Sequence, residues 1–304
     1  MTRKKQKPLV EFDARIVQAP LQGILRNMES ELGRRFKRAM EARDREAERT
    51  LSLFVMMMRL TRNSYEAVSF LASTEDDHPR RKKEFILLLP PANRQILDLL
   101  FTLVFMMDDF PSRSMAYDLS SYRQAREEYA KYHARYSKRP KWKQTLRDLR
   151  DTQRMMEKYL PITPKQKRNP ASINYWRAPY KLMQRPTKSQ PFLKFLEKWL
   201  YGETSAQAHL NAAGLLSVAE FLLSEFAPEH ERKIFEQRRL EQFRFRHFSL
   251  TLSVVLAIAS EIDSFCRLNN REALARTWVL LSGYSEEAGD VYKERYQAML
   301  EKCG

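Results

Sequence analysis

The 304-residue sequence contains few glycines and few cysteines, and both shortages exclude classes of site. With only seven glycines, the chain lacks the glycine-rich loops that cradle phosphates in P-loop and Rossmann proteins. The two cysteines, Cys266 and Cys303, form no CxxC pair, and the five histidines have no metal-ligand spacing. We therefore expect no cofactor, no metal and a reducing compartment.

Long apolar runs are also missing from the sequence. The two most apolar stretches, residues 96–107 and 250–259, end well short of the roughly 20 residues that a helix needs to cross a bilayer. The basic residues near the start are not followed by the apolar core of a signal peptide. We therefore expect a protein without a membrane partner, located in the cytoplasm.

The residue types that are abundant favour helices. Leu, Ala, Glu, Lys, Arg, Gln and Met are common, and the apolar content of 43% is enough for a substantial core. Apolar residues also recur at three- and four-residue spacing, as at Ile24, Leu25, Met28, Leu32, Phe36 and Met40. Together these features predict an all-α, multi-helix bundle of about ten helices with a basic, proline-interrupted middle region.

The positive charge is concentrated in that middle region. The chain has a formal net charge of +16, and residues 111–190 hold 20 Lys and Arg against 6 Asp and Glu, which gives +14. We therefore divide the sequence into N-terminal core helices (1–110), basic and aromatic-rich helices with a connection (111–190) and a C-terminal helical bundle (191–304). We expect the three parts to form one compact unit.

Aromatic residues accompany this charge. Residues 111–190 contain eight of the thirteen tyrosines and two of the four tryptophans. Lysine and arginine displace counterions from phosphates, and aromatic faces stack on unpaired bases. The combination of positive charge and aromatic rings in one region therefore indicates that the binding partner is a polyanion built of stacked rings.

The clearest pattern is a row of five cations on one predicted helix. Their spacings of four, three, four and four residues place them in a narrow stripe at 100° per residue, with Trp142, Leu146, Leu149, Met156 and Leu160 predicted on the opposite side. The members of this cation row are Lys143, Arg147, Arg150, Arg154 and Lys158. Like charges in a row repel one another unless an anion relieves them.

Neighbouring basic and aromatic residues extend the candidate interface. The preceding helix contributes Arg123, Arg126, Lys131 and Arg135 together with the tyrosines Tyr129 and Tyr136, and the run beyond Pro164 contributes Lys165, Lys167 and Arg168. The competing interpretation is a solvated helix face without a partner. Tyr175 and Trp176, in the proline-rich connection, fit equally well a docking aromatic pair or a plug over the core.

A ribonuclease of the HEPN class was a specific alternative to test. These small helical toxins carry Arg-x-x-x-x-His on one helix, where the histidine can act as a general base. No histidine in this sequence follows an arginine at that spacing, and Arg62-Asn63 is followed by Ala67 where the histidine would stand. The motif itself is therefore absent.

Residues 85–225 resemble an uncharacterised bacterial all-helical family. The resemblance rests on Arg94 and Asp98, then Tyr175-Trp176, then Tyr201 followed by Thr204-Ser205 and Ala208-His209, with Asp98 in place of the family's glutamate. It implies an α-helical bundle and no particular activity. If these helices form a site, Arg94, Asp98 and His209 are the candidates for acid–base work on a phosphodiester. The competing interpretation is a structural ion pair and a buried histidine.

Together these patterns favour a nucleic-acid-binding helical protein, with RNA or single-stranded DNA ahead of duplex, acting within a larger complex. Two alternatives remain. The same basic face suits an acidic protein partner docked on a helical scaffold, and His209 suits a HEPN-like ribonuclease toxin.

Overall fold

The computed structural model describes residues 14–72, 87–177, 179–182, 184, 186–201, 204 and 228–301. Within these ranges the chain is helical and contains no strand. The prediction of an all-α bundle of about ten helices is therefore confirmed.

Five long helices lie in the first half of the chain. They are α1 (Ala14–Ala42), α2 (Arg45–Ala72), α3 (Leu89–Met107), α4 (Phe110–Tyr136) and α5 (Lys143–Tyr159). Three short helices follow, namely α6 (Pro164–Arg168), α7 (Pro179–Leu182) and α8 (Gln190–Leu196), the last continued by a π-helical turn, Glu197–Tyr201.

The last part of the chain contains α9 (Glu229–Cys266), α10 (Arg271–Ser282), α11 (Glu286–Val291) and α12 (Gln297–Glu301), with a second π-helical turn, Tyr292–Tyr296, between α11 and α12. Ser285 caps α11, because its hydroxyl accepts a hydrogen bond from the Ala288 N–H. Residues 205–227, which include Ser205, Ala208 and His209 of the family resemblance, lie outside the described residues.

Helix α9 is the centre of the main core. Residues 251–263 are all buried, because α2, α3 and α10 pack around this helix. The core is one cluster that includes residues from Val17 in α1 to Leu300 in α12. The N-terminal and C-terminal thirds of the sequence therefore share a single hydrophobic core.

The central helix also contains a stretch that could span a membrane by length and composition. This stretch is Glu241–Cys266, and 83% of its most apolar part is buried inside the protein. Such burial is typical of the core helix of a folded domain. The apolar stretch 250–259 is shorter than this membrane-compatible stretch, because polar residues lie between the apolar ones on either side of it.

A buried polar network crosses this core between α9 and the π-helical turn before α12. The Arg295 guanidinium donates two hydrogen bonds to the Glu261 carboxylate, at 2.6 and 3.1 Å. The Tyr296 hydroxyl donates to the same carboxylate at 3.1 Å. Burial lowers the pKa of Arg295, but the attraction and hydrogen bonds of Glu261, together with Tyr296 and Asp108, raise that pKa overall. The network thus holds a largely buried charge next to its partner carboxylate.

The basic middle region forms a hairpin with a small core of its own. Tyr122, Ile162 and Ile173 are buried together there, separately from the main cluster, and Leu119, Met156 and Leu160 pack on them. We call residues 122–168 the arm. It comprises most of α4, a 3-10 turn at Pro140–Trp142, α5 and α6.

Two contacts fix the base of the arm to the main core. Arg49 of α2 pairs with Asp118 of α4 at 2.9 Å. The Trp176 ring packs edge-on against Phe105 and Tyr117, at centroid distances of 5.7 and 5.3 Å. Trp176 is therefore a plug over the core, one of its two predicted roles, whereas its neighbour Tyr175 is exposed.

Gln153 offers a test of whether the arm has a stability of its own. Its amide is 3% exposed and donates to the Ala125 carbonyl at 3.0 Å. Gln153→Ala removes this bond, and we expect it to destabilise the arm by about 1–3 kcal/mol. Hydrogen exchange should quicken for amides of α5 and stay unchanged for those of α9. Equal acceleration in both helices would show that the arm unfolds only with the core.

Candidate nucleic-acid interface

One face of α5 is attached to α4 along its whole length. At the base, the Tyr122 hydroxyl donates to Glu157 at 2.8 Å. At the tip, the Tyr136 and Trp142 rings stack, with centroids 3.9 Å apart and planes inclined by 10°. Although burial opposes it, the Tyr122 hydroxyl and then Lys167 lower the pKa of Glu157. These contacts fix the rotation of α5 and hence the direction of its remaining faces.

The cation row lies on a face of α5 that α4 leaves open. All five of its side chains are exposed. At 100° per residue the row is roughly 120° from the face that contains Trp142, Gln153 and Leu160. Of the predicted apolar residues, Leu149 and Met156 lie roughly 140° to 160° from the row, whereas Trp142, Leu146 and Leu160 lie nearer to one side of it. The row extends over roughly 22 Å, at 1.5 Å per residue.

Most of the row has no carboxylate partner among the described residues. Arg154 pairs with Asp151 at 3.3 Å, and both side chains are about two-thirds exposed. The Arg150 guanidinium lies 5.5 Å from the centre of the Tyr129 ring, and the Lys158 ammonium lies 5.5 Å from that of Tyr159. Within the described ranges, Lys143 and Arg147 make no ion pair or ring contact. The row is therefore a line of positive charge in which only Arg154 has a carboxylate partner among the described residues.

Three other predicted contacts are occupied in holding the arm together. Arg123 donates to the Ile173 carbonyl at 2.6 Å and lies 3.7 Å above the Tyr175 ring. Arg126 donates to the Gln153 side chain at 3.3 Å. Lys167 pairs with Glu157 at 3.4 Å. These three residues have a structural role, because each joins two segments of the basic middle region.

The remaining predicted cations are exposed, but they do not all lie beside the row. Lys131 and Arg135 are roughly 120° or more around α4 from Tyr129, whose ring faces α5. They therefore lie on the far side of the arm. Lys165 and Arg168 are exposed on α6, which is joined to α5 by the Lys167–Glu157 pair.

The aromatic residues of the arm mostly contact one another. Tyr136 is stacked on Trp142, and Tyr129 lies against His133 at 5.4 Å between ring centres. Tyr159 is different, because it is 51% exposed beside Lys158. It was absent from the predicted contacts, although its position next to the last cation of the row was a usable signal.

The residues that carry the family resemblance come together only in part. Arg94 stacks on the Tyr201 ring at 3.2 Å. Its Nε lies 2.9 Å from Asp98 Oδ1, so the two residues form an ion pair. Burial lowers the pKa of Arg94. His209 lies outside the described residues, so an Arg, Asp and His site stays a prediction.

We compared the chain with protein-family models, curated proteins and solved structures. No protein-family model, curated protein or solved structure matches the chain. In the described part of the chain, no group of three or more His, Cys, Asp or Glu residues is placed to hold a metal ion.

Proposed function

We propose that this protein binds nucleic acid through the cation row of the arm, preferring RNA or single-stranded DNA to duplex. One observation carries the proposal: five exposed cations stand in line along α5, and four of them lack a carboxylate partner among the described residues. We further propose that it acts in the cytoplasm as part of a larger complex.

The charge balance of the arm supports a polyanionic partner. Residues 137–168 contain eleven Lys and Arg against three Asp and Glu. A phosphate chain that contacts the row releases its condensed counterions, which favours binding without any reading of sequence. The row lies on a helix that is packed against α4, so little backbone order has to be created on binding, although the exposed side chains lose rotamer freedom.

The proposed preference for unpaired strands rests on one exposed aromatic ring, Tyr159, at the base of the row. Tyr159 presents an exposed face next to Lys158, and a base can stack there only when it is free of its complement. Within the described residues of the arm, the other rings beside α5 are engaged with protein groups. The proposed interface therefore reads phosphates along most of its length and a base at one end.

The test compares two variants, one with four cations of the row replaced by glutamine and one with four cations outside the arm replaced by glutamine. The row variant carries Lys143→Gln, Arg147→Gln, Arg154→Gln and Lys158→Gln. The matched control carries Arg38→Gln, Lys194→Gln, Lys198→Gln and Lys293→Gln, all exposed cations outside the arm. Arg150 is kept because it packs over Tyr129.

Fluorescence anisotropy with labelled single-stranded RNA, single-stranded DNA and duplex gives the readout. We expect the row variant to bind single strands roughly a hundredfold more weakly at physiological salt, because four counterion-releasing contacts are lost. The control should bind as the unmodified protein does. Equal weakening in both variants would mean that only overall charge matters and would overturn the proposed site.

The same assay separates nucleic acid from an acidic protein partner. Poly-glutamate carries negative charge without bases or phosphates, and it serves as the competitor. If poly-glutamate displaces the single strand at equal charge concentration, the arm binds acidic surfaces in general and has no preference for nucleic acid. Failure of every nucleic acid to bind the unmodified protein would leave the scaffold interpretation in its place.

A further inference from the structure

Helix α2 presents a stripe of apolar side chains to solvent, away from the arm. Met56, Leu60 and Phe70 are 58%, 54% and 72% exposed, and Ala67 is exposed between the last two. At 100° per residue these four residues lie within an arc of roughly 80°. The other faces of α2 pack on α1, α3 and α9. A contiguous apolar face on an otherwise packed helix indicates a surface that another molecule covers.

The stripe is nearly symmetric about Asn63, which is exposed at its centre. Met56 lies seven residues before Asn63 and Phe70 lies seven after it, while Leu60 is three before and Ala67 four after. When a second α2 packs antiparallel on the first, with a two-fold axis at Asn63, Met56 faces Phe70 of the second copy. Leu60 then faces Ala67 of the second copy, so a large side chain meets a small one. The stripe is therefore complementary to itself, as a two-fold interface requires.

Two opposite charges along one edge of the stripe have the same symmetry. Arg59 lies four residues before Asn63 and Glu66 three after it, both roughly 60° to 80° from the middle of the stripe. An antiparallel two-fold pairing brings the same edge of both helices together. Each Arg59 is then offset from Glu66 of the other copy by only about 1.5 Å along the axis. A parallel pairing would bring opposite edges together and separate these charges.

Both charges also pair within their own chain, but only in part. The Arg59 Nε atom lies 3.1 Å from the Glu29 carboxylate of α1, and Glu66 lies 3.6 Å from Arg62 Nε. The Arg59 and Glu66 side chains nevertheless remain 65% and 60% exposed. The internal pairs restrain both side chains beside the stripe, which reduces the entropy that a further pair costs.

From this symmetry we propose that two copies of the chain associate through the stripe of α2 as an antiparallel two-fold dimer. The apolar contacts and the pair of Arg59 with Glu66 each occur twice around the axis. The two Asn63 amides meet at the axis, where each can donate to the carbonyl oxygen of the other. The dimer contact is independent of the arm and of nucleic-acid binding.

The size of the stripe sets the expected strength of the dimer. It is roughly 21 Å long and about 10 Å wide, at 1.5 Å per residue and one helix face. The paired area is thus well below the roughly 800 Å² that each partner of a stable complex buries. We therefore expect a weak dimer with a dissociation constant of roughly 10 to 100 µM.

Sedimentation velocity of the full chain at increasing concentration measures this association. We expect a monomer at about 1 µM and mostly dimer at about 500 µM. Leu60→Asp places a charge inside the contact and should weaken association at least roughly tenfold, because that charge loses water without gaining a partner. The matched control is Val279→Asp on α10, where the side chain is 60% exposed, and it should associate as the unmodified protein does.

Charge reversal tests the antiparallel arrangement. Arg59→Glu places two carboxylates opposite each other in both pairs, and Glu66→Lys places two cations opposite each other. Each variant alone should therefore associate roughly tenfold more weakly than the unmodified protein. In an equimolar mixture of the two variants, both pairs become attractive again. We expect the mixture to form a heterodimer with about the affinity of the unmodified dimer.

Three results would overturn the proposal. An unmodified protein that stays monomeric at about 500 µM would show that the stripe does not pair with itself. Equal association by Leu60→Asp and the unmodified protein would place the contact elsewhere. A mixture of the charge variants that associates no better than either variant alone would exclude the antiparallel pairing. The replaced side chains are all more than half exposed, so we expect unchanged melting temperatures, which confirm that each variant is folded.

Discussion

Replacing Glu261 with alanine is expected to lower the free energy of unfolding by about 3–5 kcal/mol. The side chain is 3% exposed and is the carboxylate partner of Arg295. Its removal leaves the guanidinium, which is only 21% exposed, with the Ser189 hydroxyl at 3.4 Å and the charge of Asp108, and it takes the acceptor from the Tyr296 hydroxyl. The cost comes mainly from a largely buried charge that has lost its direct partner. Urea denaturation of Glu261→Ala at neutral pH measures the change.

Two comparisons separate the buried pair from a general effect of lost charge. Glu272→Ala breaks the Glu272–Arg276 pair of α10, whose side chains are 80% and 75% exposed, and exposed pairs contribute little. The double variant Glu261→Leu with Arg295→Met replaces the pair by apolar groups and should recover most of the loss. A Glu261→Ala protein as stable as Glu272→Ala would show that water already reaches Arg295.

Local sequence patterns were enough to predict the long helices and the cation row, but not the short helices Pro164–Arg168 and Pro179–Leu182, which lie in the span predicted to be a connection. The residues from Lys143 to Lys158 form one helix, and the five cations lie together on its exposed side, as their spacing indicated. The cap at Ser285 was equally local, because the donor at Ala288 is three residues away. Local patterns of this kind depend on backbone geometry that every helix shares, so they can be read without knowledge of the fold.

Partners distant in sequence could not be predicted in this way. Arg123 looked like any other cation of the arm, yet its bond to the Ile173 carbonyl is 50 residues distant along the chain. The Glu261–Arg295 pair and the approach of Asn93 to His247 depend on how three helices pack. Their residues carry no motif, and each looked ordinary within its own helix.

The cations of the arm fall into two groups, those that make contacts within the fold and those that stay exposed. Residues near the contact between α4 and α5, such as Arg126, meet polar groups of the partner helix and are used in folding. Residues of the row are turned away from that contact and stay exposed. The proposed interface is consequently narrower than the sequence suggested, and its charge is concentrated on one helix.

Concentration of charge on one helix leads to a measurable salt dependence. If five phosphates of a single strand contact the row, the logarithm of the binding constant should fall with the logarithm of salt with a slope of about −3.5. Between about 50 and 200 mM salt the affinity should then drop roughly a hundredfold. Anisotropy titrations at several salt concentrations measure this slope.

The row variant, which keeps Arg150 alone, should retain a slope of only about −0.7, because one counterion-releasing contact is left. The control with four charges removed outside the arm should keep the full slope. These slopes count contacts directly, so they are independent of any effect of the substitutions on protein concentration or purity. A row variant with an unchanged slope and a weaker affinity would mean that the phosphates contact cations outside the row, since the other exposed cations of the arm are intact in it.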